Sequence, residues 1–203
     1  MFRITADACF IGVFVVSMAT LRAGPAQNSL RVGDRLPMLK GQFLSGRDVE
    51  LPGASSGKVA LIAMGFTYNS RFAVEAWGTW FRARIESRPD VTFFEVPMID
   101  GLARLGRWFI DRGMRHGTPA ELHEHVITVY GGTDDWKRRL SYARAHEDDA
   151  YLIVLGTDGV VRWLHHGRFD QARADELRVL LTSLGNGRTT MADHYLADPR
   201  SDP

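Results

Sequence analysis

Residues 58–85 read KVALIAMGFTYNSRFAVEAWGTWFRARI and contain a strand signal followed directly by a helix signal. The first nine residues are apolar on both alternations, which predicts a strand buried on both faces of a sheet. Val74, Trp77, Phe81 and Ile85 then recur with the period of an amphipathic helix. A second apolar run at 91–99 completes a strand, helix and strand unit, which predicts a parallel pair of strands.

The rest of the chain extends this unit on both sides. Short apolar stretches at 31–60 predict a β-hairpin lead-in, and residues 102–140 predict a helical insertion around a short strand at 127–130. A hairpin around Asp158-Gly159 and a helix at 171–184 follow. This order resembles the thioredoxin-like pattern: an α/β fold with a mixed central sheet and helices on both faces. We expect one domain at 31–184 and a disordered tail at 185–203.

Composition excludes several functions. Lys and Arg total 25 against 24 for Asp and Glu, so the chain lacks the basic excess of a general nucleic-acid binder. Cys9 is the one cysteine among 203 residues. This count excludes an intrachain disulfide, a CxxC redox pair and a cysteine-based zinc cage.

The first residues have the pattern of a secretory signal. Arg3 precedes an apolar run at 8–21, which is shorter than the roughly 20 residues that span a bilayer, and Gly24-Pro25-Ala26 suits cleavage after Ala26. Residues 1–26 are therefore predicted to be a signal peptide, and its cleavage would remove Cys9 from the mature chain. The prediction places the mature chain in the periplasm or at the outer face of a bacterial inner membrane, without a stable membrane span. A short uncleaved anchor is the alternative.

The loop after the first buried strand lies where a thioredoxin-like fold places its reactive thiol, at a helix N-terminus. Residues 66–70 read FTYNS and resemble the peroxiredoxin pattern Phe-Thr-x-x-Cys, with Ser70 in the place of the cysteine. A serine hydroxyl has no accessible anion near neutral pH, so peroxide reduction and disulfide exchange are excluded at this position. Asn69, Ser70 and Arg71 could form a retained polar pocket; alternatively, Ser70 is simply a helix N-cap.

The histidines offer a weak metal pattern. On a helix His123 and His125 would point to different sides, whereas on a strand they would share one face, and His116 is nearby in the sequence. Three such residues could hold zinc or copper. More often such residues are solvated, and we predict no metal and no cofactor.

The hairpin at 151–163, YLIVLGTDGVVRW, resembles a signature of the mitochondrial ATP-synthase assembly factors with a thioredoxin-like domain, the assembly factor ten family. Gly167 and Glu176 stand where that family has a Gly and a helical Glu. The resemblance covers about 31–184 and extends to residues 129–140, Phe66, Trp77 and Phe81. The family is similar to peroxiredoxins but acts without a redox thiol. His165 replaces a preferred Gly, and the family works on the matrix side, opposite to the side that a secretory signal implies.

The leading hypothesis is a non-catalytic binding or assembly factor for a membrane protein complex. The candidate client-binding residues are Thr67, Asn69, Ser70, Arg71, Arg162 and Trp163. An alternative is an oxidoreductase of the cell envelope that is related to peroxiredoxins or handles metal or haem, with the three histidines as ligands. A third is a binding module of an electron-transfer or cytochrome assembly system.

Overall fold

The structure, a computed structural model, describes residues 29–101 and 104–196. Seven strands and four helices follow one another in this part of the chain: β1 (Leu39–Phe43), β2 (Asp48–Leu51), β3 (Val59–Gly65), α1 (Ser70–Arg84), β4 (Val91–Ile99), α2 (Arg104–Gly117), β5 (Ile127–Tyr130), α3 (Thr133–Arg139), β6 (Ala150–Leu155), β7 (Val161–Gly167) and α4 (Gln171–Leu196). The predicted signal peptide and Cys9 lie outside the described residues.

The strands form a single mixed sheet with β3 near its centre, in the order β2-β1-β5-β4-β3-β6-β7. β3 pairs in parallel with β4 and antiparallel with β6, and every residue of β3 is buried. A strand covered on both faces needs apolar side chains at every position, which is why β3 lacks the alternation of a half-exposed strand. The predicted thioredoxin-like α/β arrangement is confirmed.

Two apolar layers cover the sheet. On one face α1 and α4 pack through Trp77, Phe81, Leu177 and Leu181, all buried. The other face is covered by the lead-in segment and by α3, whose Trp136 is buried. Complete burial of such side chains contributes about 1.5–3 kcal/mol each. The periodic apolar residues at 71–85 are therefore the ones through which α1 covers this face of the sheet.

The end of α4 was predicted wrongly. The helix continues to Leu196, although the Gly-Asn-Gly sequence at 185–187 was expected to end it. Glycine costs only about 1 kcal/mol in a helix, and Gly185 lies against the paired side chains of Arg88 and Asp90, which a Cβ there would overlap unless they shifted. Residues 197–203 of the predicted tail lie outside the described part. No helix within 29–101 and 104–196 is long and apolar enough to cross a membrane.

The helical insertion differs in detail from the prediction. The start signal at 118–121 produces only a single 3-10 turn at Ala120–Leu122, since no side chain caps it. Trp108 and Phe109 on α2 are both exposed, and their rings meet edge to face at 4.9 Å. α2 therefore presents an aromatic pair to solvent.

Candidate functional site

The turn that follows β3 is closed by hydrogen bonds between Thr67 and Ser70. The backbone N–H of Ser70 donates to Thr67 Oγ1 at 3.0 Å, and the N–H of Thr67 donates to Ser70 Oγ at 3.2 Å. The Ser70 hydroxyl in turn donates to the carbonyl oxygen of Thr67 at 2.7 Å. These reciprocal bonds satisfy a backbone donor at the start of α1, in the manner of a capping box.

Ser70 fits neither of its two sequence interpretations. It is the first residue of α1 rather than its N-cap, and Asn69, which precedes the helix, makes no capping hydrogen bond. Ser70 is also completely buried, whereas Asn69 and Arg71 are exposed. The three side chains therefore do not line one open polar pocket. Ser70 instead stabilises the turn through its hydrogen bonds with Thr67.

Arg71 lies in an exposed patch with two aromatic rings. Its guanidinium carbon is 4.0 Å from the centroid of the Tyr68 ring and 4.5 Å from that of Phe72. Tyr68 is 73% exposed and Phe72 is 58% exposed. Large aromatic side chains at a solvent-facing helix start are unusual and suit contact with a partner. We call these three residues the Tyr68–Arg71–Phe72 patch.

A groove of about 770 Å³ adjoins this patch. One wall is the turn at 65–71, and the other is formed by the end of β4 and by Ile110 and Met114 of α2. Glu95 of β4 also lines the groove; burial raises the pKa of its carboxyl group, and Arg82, at 3.4 Å, opposes the rise. The groove is thus lined by apolar side chains and by three carboxyl groups, those of Glu75, Glu95 and Asp100.

Arg162 and Trp163 do not join this surface. Trp163 pairs with Val154 of β6, which pairs with Leu61 near the start of β3, whereas the turn follows the end of β3 at Gly65. Four residues along a strand span roughly 13 Å. Arg162 instead pairs with Asp158 in its own hairpin, at 2.6 Å. The six candidate client-binding residues therefore lie at opposite ends of the sheet.

The predicted histidine candidates are not brought together either. His116 is exposed on α2, whereas His123 and His125 each hydrogen-bond to backbone carbonyl groups. In the part of the chain that the structure describes, the one group with ligand atoms close enough for a metal is His146, Asp149 and His166.

This second cluster was missed because His166 is distant in sequence from the other two residues. The register of the β6–β7 hairpin could have revealed the cluster, because it places His166 opposite Tyr151 and so beside the loop at 146–149. His165, the neighbouring residue on the other face of β7, is partly buried, and this burial lowers the pKa of its imidazole.

Several solved structures share this architecture. BsSco, a member of the Sco family of cytochrome c oxidase assembly proteins, matches with a TM-score of 0.53 at 14% identity, over 79% of this chain and 99% of that one. The thiol:disulfide interchange protein DsbE from Chlorobium tepidum gives 0.52 at 16% identity, over 77% and 99%. The thioredoxin domain of a thiol-disulfide oxidoreductase from Bacteroides vulgatus gives 0.50 at 18%, over 75% and 99%. The chain therefore has the thioredoxin-like fold.

No protein-family model matches the chain, and no curated protein matches it in sequence. The likeness thus extends to the fold, while the resemblance to ATP-synthase assembly factors remains a hypothesis. The site itself differs from a thiol site, because the residue at the start of α1 is a buried serine.

Proposed function

We propose that this protein is a thioredoxin-like binding factor that assists the assembly of a membrane protein complex and carries out no thiol exchange. The observation that carries the proposal is the state of Ser70. Its side chain occupies the start of the helix after the central strand, is completely buried, and makes its hydrogen bonds with Thr67.

Nucleophilic chemistry at Ser70 has no physical support. A serine hydroxyl needs an adjacent general base to become a nucleophile, but this hydroxyl donates its hydrogen bond to the backbone carbonyl oxygen of Thr67. Disulfide exchange begins with attack by a thiolate, and the one cysteine of the sequence, Cys9, does not belong to this turn. The fold is therefore proposed to act by binding.

The proposed client surface is the Tyr68–Arg71–Phe72 patch together with the adjoining groove. Exposed aromatic side chains and arginine are the residue types that contribute most at protein interfaces. The Arg71 guanidinium can form a charge-assisted hydrogen bond with a carboxylate. A fitting client segment has an acidic side chain followed by apolar residues that enter the groove. Asn69 borders this surface, while Thr67 and Ser70 hold its shape.

Arg162 and Trp163 would form a separate contact. Because they lie roughly 13 Å along the strand direction from the turn, only a client that extends along the sheet reaches both ends. We propose the turn and the groove as the primary surface and the hairpin as a secondary one.

Location and client class are part of the same proposal. The apolar run at 8–21 supports a position at the outer face of a bacterial inner membrane. The hairpin at 151–163 supports a subunit of a membrane complex as client, with ATP synthase as the first candidate. A similar fold occurs in BsSco, whose family consists of cytochrome c oxidase assembly proteins; an oxidase subunit is therefore the second candidate.

The test is site-specific photo-crosslinking in native membranes. A photo-reactive amino acid replaces Phe72 in the full chain, and a matched control carries it in place of Val179, which is 63% exposed on α4. We expect a membrane-complex subunit to be captured from position 72 and not from position 179. In a second arm with the photo-reactive group at Tyr68, Arg71→Glu should reduce capture by about tenfold, while Arg178→Glu on α4 should not.

Two results would overturn the proposal. One is equal capture from positions 72 and 179, or no capture from either. The other is reduction of peroxide or of a dithiol by the full chain at enzyme-like rates without added metal. The alternative of metal handling in the cell envelope is favoured by the His146–Asp149–His166 cluster, which shares no residue with the client surface.

A further inference from the structure

Two histidines and an aspartate meet where the loop before β6 approaches β7. The Nδ1 atoms of His146 and His166 lie 3.1 Å and 3.0 Å from the same carboxylate oxygen, Oδ2 of Asp149. The three ligand atoms all lie within 4.8 Å of one another. No residue of this cluster takes part in the proposed client surface.

The surrounding fold holds the three side chains in place. The N–H of Asp149 donates to the carbonyl oxygen of His146 at 3.2 Å, which closes the loop. The buried Tyr151 contacts both histidines: its hydroxyl donates to the carbonyl oxygen of His146 at 3.3 Å, and its ring stacks on that of His166 at 5.3 Å. The cluster is therefore preorganised by a core residue and by the pairing of β6 with β7.

We propose that His146, Asp149 and His166 form a binding site for a divalent transition-metal ion of the Zn²⁺ type. Two imidazole nitrogens and one carboxylate oxygen are a donor set that Zn²⁺ accepts, with a fourth position left for water or another ligand. In a tetrahedral site with bonds of about 2.0–2.1 Å, neighbouring donor atoms are roughly 3.3 Å apart. The two nitrogen–oxygen distances are close to this value.

Binding balances in protons without a further reactant. A carboxylate only accepts hydrogen bonds, so each Nδ1 carries the hydrogen in the metal-free protein. When the ion enters, each Nδ1 gives up this hydrogen and offers its lone pair to the metal. The hydrogen moves through solvent to Nε2 of a neutral imidazole, whereas a protonated imidazole releases one proton to solvent. His146 and His166 side chains are 49% and 43% exposed, so an ion and its water ligand have access.

The chemistry of the donors also predicts selectivity. Ca²⁺ and Mg²⁺ prefer six or more oxygen ligands and therefore fit this set poorly. Zn²⁺ and Cu²⁺ bind imidazole nitrogen more strongly. The site should consequently bind Zn²⁺ in the presence of excess Mg²⁺.

The experiment is calorimetric titration of the full chain, in mild detergent, with Zn²⁺ as the probe. We expect one saturable site per chain, with affinity reduced at least about tenfold by His166→Ala, because even residues behind metal ligands contribute that much. His116→Ala is the matched control, since His116 is an exposed histidine outside the cluster. Cys9→Ser controls for thiolate binding. Neither control should change the affinity.

A spectroscopic measurement keeps the test decisive if His166→Ala fails to fold. X-ray absorption of the zinc-loaded wild-type chain should show nitrogen and oxygen ligands at about 2.0–2.1 Å, including two imidazoles, and no sulfur. Absence of saturable binding, a sulfur ligand, or an equal loss of affinity in His116→Ala would overturn the metal site. None of these outcomes bears on client capture at position 72, so the two proposals fail separately.

Discussion

The Thr67 hydroxyl donates a hydrogen bond of 2.8 Å to Oδ1 of Asp148, 81 residues later in the chain. The hydroxyl oxygen of Thr67, Oγ1, also accepts a hydrogen bond from the backbone N–H of Ser70 at 3.0 Å. One side chain therefore both starts α1 and ties the turn after β3 to the loop before β6. The position of the neighbouring Tyr68–Arg71–Phe72 patch depends on this double role.

Thr67→Val should lower the free energy of unfolding by about 1–3 kcal/mol, because it leaves the partly buried N–H of Ser70 without its acceptor. Urea denaturation measures the change. Thr79→Val, an exposed site on α1, is the matched control and should change stability by less than about 0.5 kcal/mol. Equal costs for the two variants would contradict the role of Thr67.

Asp148→Ala should cost less than Thr67→Val, since the Thr67 hydroxyl can still donate to the carbonyl oxygen of Glu147 at 3.2 Å. The double variant should be more stable than additivity predicts, by about 0.5–1.5 kcal/mol, because the two residues share one interaction. A double-mutant cycle in urea gives this coupling. Strict additivity would mean that the hydrogen bond contributes nothing in solution.

Gly65→Ala should destabilise the protein by about 1–3 kcal/mol through overpacking. A Cβ at this position would lie 2.6 Å from Oγ of Ser70, which is held beneath the turn. Adding Ser70→Ala removes that oxygen, so the double variant should be about as stable as Ser70→Ala alone. Gly113→Ala on α2, with open space around it, should instead stabilise the helix. Thermal unfolding of the four variants measures whether their stabilities follow this order.

Ser70→Cys, in a Cys9→Ser background, should not react with iodoacetamide in the native state. Position 70 is completely buried, so the reagent cannot reach the thiol even though it lies at a helix start. Tyr68→Cys in the same background, at a 73% exposed position, should react readily. Mass spectrometry measures labelling before and after urea is added. Labelling of position 70 only in urea would show that the thiol is reactive but buried in the native state. Rapid native labelling at position 70 would show that the turn opens.

Glu95→Gln tests the buried carboxyl group in the groove. Burial raises the pKa of Glu95 in the folded state, so the folded protein holds this proton more tightly than the unfolded chain does. Its contribution to stability is present at low pH and declines as pH rises from about 4.5 through the raised pKa. The stability of Glu95→Gln relative to wild type should therefore increase over this pH range.

Urea denaturation at several pH values from roughly 4 to 8 measures the trend for Glu95→Gln, because this interval begins near the ordinary pKa of a glutamate carboxyl group and extends above it. Glu86→Gln, at an exposed position, is the matched control and should run parallel to wild type. A difference for Glu95→Gln that does not vary with pH would show that the carboxyl group keeps its ordinary pKa in the folded protein.

Much of the fold was readable from local sequence. The apolar run at 58–66 and the helical period at 71–85 predicted β3 and α1, and the short strand at 127–130 was placed correctly. These signals are reliable because burial on one or two faces imposes a period on the residues of a single element. The end of α4 was not readable, because a glycine is also tolerated inside a helix, and Gly185 here packs against Arg88 and Asp90.

The candidate site was only partly predictable. The sequence alone established that no thiol stands at residues 66–71 and that Ser70 takes that place. Tertiary structure decided that Ser70 is buried, that Arg162 and Trp163 lie at the other end of the sheet, and that His166 meets His146 and Asp149. The physical reason is that periodicity reports which side of an element is buried, whereas strand register and loop packing determine which distant side chains meet.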